Sequence, residues 1–203
     1  MTVILCPGIH HERLTQNFLE QMSPALSDPV VFSTNQYPAY SAWHLIQCLE
    51  TSLDPQQLET PILFIGFSAG VVAAIATAWY WQLKGRSVKA LIALDGWGIP
   101  LRGTFPIHRM SHDLFTHWSS TIGETRSDCF YAEPSVDHLD LWRSPASTQG
   151  QWVKTSSEQS SSWLGTCRSA MQSHDGQATH RQTTAAEFLM MLLQQYGELS
   201  SQP

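Results

Sequence analysis

Three residues suited to nucleophilic chemistry lie in one chain order: Ser68, Asp95 and His138. A serine hydroxyl is a weak nucleophile at neutral pH and needs an adjacent base, most often histidine. A carboxylate behind that histidine holds its tautomer and stabilises the imidazolium. Ser68 sits in "GFSAG", residues 66–70, which matches G-x-S-x-G. Glycines two residues either side of a serine leave room for a sharp turn that lifts the hydroxyl out of a strand. The bare pattern carries little weight, because glycine is common, and a tight turn with a capping serine also satisfies it. It gains weight only where a strand passes into a helix.

Asp95 lies in "LDGWG" and His138 in "EPSVDHLDLW". An Asp before Gly96 also suits an ordinary turn. A histidine between Asp137 and Asp140 also suits an exposed loop. His112 is the main rival to His138 as general base, followed by His117. Near the N-terminus, "CPGIHH" gives a sharp exit at Pro7-Gly8. There the Ile9 amide, together with the Ala69 amide, would form an oxyanion hole. His10 and His11 are neighbours in a loop with no defined third ligand, a poor chelating set, so neither a metal ion nor another cofactor is expected.

These residues need a frame. From Thr60 to Leu83 the chain has 24 positions without a charge, and Lys84 and Arg86 follow. About 20 apolar residues can span a bilayer. Yet Pro61 opens the run, "ILFI" reads as a buried strand, and Gly66 and Gly70 bracket a break. "VVAAIATAWYWQLKG" then reads as a helix that stops at Gly85. Strand, turn and helix explain each feature separately, so stable membrane insertion is not expected.

The rhythm recurs. Strands are expected at 2–6, 29–33, 61–67, 88–95 and 128–133, and helices at 12–22, 41–53, 69–83 and 184–199. Alternation of this kind implies parallel strands with right-handed crossovers. The expected fold is a single α/β domain over 1–203, a three-layer α/β/α sandwich with a mostly parallel sheet of about five strands. Ligands of such sheets bind at the carboxyl ends of the strands, where Ser68, Asp95 and His138 fall. Two segments break the rhythm. Residues 98–127 read as an insertion with a short helix near 111–119, and residues 144–182, rich in Ser, Gln and Thr, read as a polar loop. In and beside the insertion, Trp97, Phe105, Leu114, Phe115 and Trp118 would line a pocket for an apolar acyl group, or else close the core.

Composition narrows the class. The net charge of −6 comes without a Lys/Arg cluster, so nucleic-acid binding has no electrostatic support. Four scattered cysteines, Cys6, Cys48, Cys129 and Cys167, form no CxxC and read as reduced thiols of a cytoplasmic protein. "MTVILCPG" lacks the basic start of a signal peptide.

The elbow at Ser68 and the order Ser68, Asp95, His138 resemble the α/β-hydrolase family. Asp95 follows the strand directly after the nucleophile helix, 27 residues beyond Ser68. That placement is more similar to the thioesterase branch than to the common esterases, whose acid usually lies one strand later. "LIALDGWGIP" and "VDHLDLW" are similar to the acid and histidine segments of those thioesterases. The resemblance covers roughly residues 2–142 of a trimmed version, since the strands commonly preceding the "PG" loop are absent. It implies a serine hydrolase of an acyl ester or thioester, free or carrier-bound, working through an acyl-enzyme. Two other classes stay open: a catalytically silent hydrolase fold used for binding or assembly, and an interfacial lipase.

Overall fold

The computed structural model describes residues 2–23, 25–96, 98–120, 127–154 and 179–197. Among them the strands are β1 (Thr2–Cys6), β2 (Val30–Val31), β3 (Ile62–Phe67), β4 (Val88–Leu94), β5 (Ile107–Ser111), β6 (Cys129–Ala132), β7 (Gln149–Lys154) and β8 (Thr179–Thr184). The helices are α1 (Glu12–Met22), α2 (Ala42–Ser52), α3 (Pro55–Glu59), α4 (Gly70–Leu83), α5 (Leu114–Ser120), α6 (His138–Arg143) and α7 (Ala185–Tyr196). The strands form one sheet in the order β2-β1-β3-β4-β5-β6-β7-β8. The first six run parallel, while β7 and β8 are antiparallel additions at the far edge.

The central strands are apolar because both their faces are covered. Every residue of β3 is buried, and so is every residue of β4 except Lys89. Side chains alternate between faces along a strand. Leu63, Ile65 and Phe67 therefore join one core, with Phe18 and Met22 of α1, Leu141 and Trp142 of α6, and Phe188 and Leu192 of α7. Ile62 and Phe64 join the other, with Leu45 and Leu49 of α2 and Ala74, Ile75, Ala78 and Trp81 of α4. The sheet is thus the middle of three layers. Each large apolar side chain buried in either core contributes roughly 1.5–3 kcal/mol.

Helix α4 is buried along much of its circumference, which explains its lack of charge. Its alanines let it sit close on the sheet, and it ends before Gly85, at φ +75°. No helix among the described residues is long and apolar enough to cross a membrane. Cys6 and Cys129 are buried thiols and Cys48 a half-buried one, while Cys167 lies outside the described residues.

The structure corrects the reading of the two irregular segments. Residues 98–127 contribute a parallel strand of the sheet, β5, as well as α5. "IHRMS" hides its strand character because His108 and Arg109 interrupt the apolar run. Both are buried nonetheless, with polar partners: His108 Nδ1 meets the Asp128 carbonyl at 2.9 Å and its Nε2 meets Tyr196 Oη at 2.7 Å. Arg109 donates to the Leu101 carbonyl at 3.1 Å. The two ends of the polar segment 144–182 pair as β7 and β8, from Gln149↔Thr184 to Lys154↔Thr179. The sheet has eight strands rather than about five: β5 joins the parallel set, making six, and β7 and β8 extend the edge.

Candidate functional site

Six parallel strands point their carboxyl ends to one edge, and the residues just beyond β1, β3, β4, β5 and β6 meet there. Ser68 follows β3 directly and adopts φ +51°, a left-handed conformation uncommon for a residue with a side chain. Such strain at a strand-to-helix turn is what exposes a nucleophile. The surroundings enforce it. A Cβ on Gly70 would lie 2.0 Å from the Cys6 carbonyl oxygen and 2.5 Å from that of Pro7, so no side chain fits. A Cβ on Gly66 would lie 3.0 Å from Val71 Cα. The Ser68 amide donates to the Leu94 carbonyl at 2.9 Å, tying the turn to the end of β4.

Asp95 is the next residue after that carbonyl. It too has φ +51°, and its side chain is fully buried. A buried carboxylate is costly unless its lone pairs are filled, and three donors fill them. His138 Nδ1 lies 2.8 Å from Oδ2, His112 Nδ1 lies 2.9 Å from the same oxygen, and the His112 amide donates to Oδ1 at 2.9 Å. The His138 ring stacks on Phe67, the neighbour of Ser68, with centroids 4.8 Å apart. It meets the His112 ring edge-on at 5.8 Å. Nδ1 is thereby turned toward Asp95, leaving Nε2 as the basic nitrogen of a neutral ring. Among the described residues no hydrogen bond joins that nitrogen to Ser68 Oγ.

The loop after β1 closes the other side. A Cβ on Gly8 would meet Ser68 Cβ at 3.0 Å, so this loop lies directly against the serine. The Ile9 and Ala69 amides make no hydrogen bond among the described residues, leaving both donors available. A cavity of about 220 Å³ opens beside Ile9, lined by His10, Thr34, Pro38, Ala39 and Tyr40.

Ser68, Asp95 and His138 therefore share one edge with Ile9 and Ala69. His112 joins Asp95 as well, whereas His117 packs on Tyr131 at 5.1 Å. Burial, with Arg109 and His180 adding to it, pushes the His117 imidazole down to about 4. Of the five residues expected to form an acyl pocket, the four that are described divide between the core and an exposed helix. Phe105 is 6% exposed and belongs to the core with α4, because the chain runs from there straight into β5. Leu114, Phe115 and Trp118 are exposed on α5, at 58%, 72% and 46%. Trp97 lies outside the described residues. Beside Ile9 and His10, the cavity is lined by Thr34, Pro38, Ala39 and Tyr40 from the segment after β2, which the sequence reading did not single out.

His10 and His11 diverge in role. His11 caps α1, accepting from the Arg13 amide at 3.2 Å. His10 tucks between Phe67 and Trp142, where burial pushes its imidazole down from the ordinary value. Among the described residues, Asp95, His112 and His138 form a group that could hold a metal ion, each offering one ligand atom, all within 4.8 Å of one another. No family model and no curated protein matches the chain.

Proposed function

We propose that the chain is a serine hydrolase that cleaves an acyl ester or thioester through an acyl-enzyme. The observation that carries this reading is Ser68 held at φ +51° on a glycine-walled turn, one hydrogen bond from the strand whose next residue, Asp95, grips His138. Ser68 Oγ attacks the carbonyl while His138 Nε2 takes its proton and returns it to the leaving group. Water then enters and attacks the acyl carbon; the same nitrogen takes its proton and passes it to Ser68 Oγ as the bond to the acyl group breaks and the acid leaves. Asp95 keeps the Nδ1 proton in place throughout. The Ile9 and Ala69 amides receive the oxyanion. The cavity of about 220 Å³ opens beside Ile9, one of the two residues whose amides receive the oxyanion in this reading.

A fluorophosphonate probe tests the reading. Wild type is expected to label at one site, and Ser68→Ala at none. A second reading, the catalytically silent fold, is favoured by the absence of a hydrogen bond between Ser68 and His138. Catalytic hydrogen bonds often tighten only in complexes, so the serine-hydrolase reading expects this bond to form with substrate bound. Well-folded wild type that fails to label would establish the silent reading.

A further inference from the structure

A serine triad needs one histidine on its carboxylate; here two place Nδ1 on the same Asp95 oxygen, at 2.8 and 2.9 Å. We propose that Asp95, His112 and His138 form a binding site for a zinc ion, and that zinc held there silences the serine chemistry. The donor set is two imidazoles and a carboxylate, a combination that binds zinc with a fourth position left for water. The three atoms already lie within 4.8 Å of one another. Zinc bonds of about 2.0–2.1 Å in a tetrahedron need about 3.3 Å between ligand atoms. The two nitrogens must then draw back from the oxygen by about 0.4–0.5 Å and settle at the same spacing from each other, a shift open to side chains 21% and 36% exposed.

A second feature points the same way. His112 Nε2 faces Asp113 Oδ2 at 3.3 Å, and Asp113 is itself held by the Thr116 amide at 2.6 Å. A metal-ligating histidine characteristically donates its other ring proton to a carboxylate, which orients the ring and leaves the lone pair on the ligating nitrogen. Nδ1 of His112 faces Asp95; with the ion on Nδ1, the single proton of a neutral ring moves to Nε2, 3.3 Å from the Asp113 carboxylate.

The silencing follows from the tautomer. Zinc takes the lone pair of His138 Nδ1, so the single proton of the neutral ring moves from Nδ1 to Nε2. That nitrogen then has no lone pair with which to accept the Ser68 proton. This half rests on the serine-hydrolase reading; the metal site does not.

Cobalt(II) separates the two. Chelator-treated full-length protein titrated with Co²⁺ is expected to develop the visible absorption of a four-coordinate ion at one equivalent, and Zn²⁺ to displace it. His112→Phe should abolish the spectrum. Asp113→Asn, which leaves all three ligands in place, should weaken binding by roughly 10- to 100-fold. His117→Phe should leave it unchanged. Fluorophosphonate labelling of wild type should stop at one equivalent of Zn²⁺ and recover with chelator. No spectrum at stoichiometric metal, or one that survives in well-folded His112→Phe with undiminished affinity, overturns the site. A normal spectrum with labelling indifferent to zinc overturns the silencing. A normal spectrum in a protein that never labels supports the site and removes the hydrolase reading instead.

Discussion

Each residue at the site answers to a local constraint. Ser68 holds its unusual backbone because Gly70 sits against two carbonyl oxygens and leaves no slack in the turn. Asp95 is stable as a buried group because three donors converge on it. Removing its charge while keeping its shape is therefore informative. Asp95→Asn presents an amide where His138 needs an acceptor, which disfavours the tautomer with a free Nε2. On the serine-hydrolase reading, fluorophosphonate labelling should slow by about 10,000-fold. A rate within a few-fold of wild type would remove Asp95 from the mechanism. Ser68, Asp95 and His138 were legible in the sequence because each follows an apolar strand segment. The convergence of both His112 and His138 on Asp95 was not. It spans adjacent strands, and the strand that brings His112 there carries His108 and Arg109 in place of an apolar run.

At the level of elements, burial separates side chains that composition treats alike. Phe105 and Phe115 are both aromatic residues of one segment, but one packs in the core with α4 and the other is 72% exposed on α5. Phe105→Ala should cost about 3–5 kcal/mol in unfolding free energy. Phe115→Ser should stay within about 0.5 kcal/mol. Urea unfolding of the two variants checks this, and equal losses would mean that the segment packs differently. The strand-turn-helix at 62–83 was legible because a fully covered strand and helix must be apolar throughout and need glycine where they meet. The β7–β8 pair escaped notice because an edge ribbon of Gln, Thr and Arg has no apolar signature of its own; Trp152 is its one deeply anchored aromatic.

For the whole molecule, buried histidines set the response to acid. His117 titrates at about 4 in the folded chain, chiefly because burial disfavours its charge, against about 6.5 unfolded. His10 and His108 are shifted in the same direction. Between those two pH values the unfolded chain binds the extra proton. His117's contribution is therefore complete above pH 6.5 and is lost as pH falls toward 4, amounting to at most about 3 kcal/mol. Urea midpoints from pH 7.5 to 4.5 should fall in wild type and fall less steeply in His117→Phe, whose ring stays neutral. Identical slopes would show that His117 is not buried in solution.

What the sequence determined by itself is the material that local chemistry can write: apolar runs long enough for covered strands, glycines at the elbow, and a serine, an aspartate and a histidine each placed just past a strand. What only the tertiary structure decided is which of these groups meet. Asp95 receives His112 as well as His138, a cavity opens beside Ile9, and Phe105 turns into the core. The reason is that contacts between strands depend on sheet order and register. Those are set by the packing of the whole chain, and a polar strand such as β5 gains its place from its neighbours rather than from its own pattern.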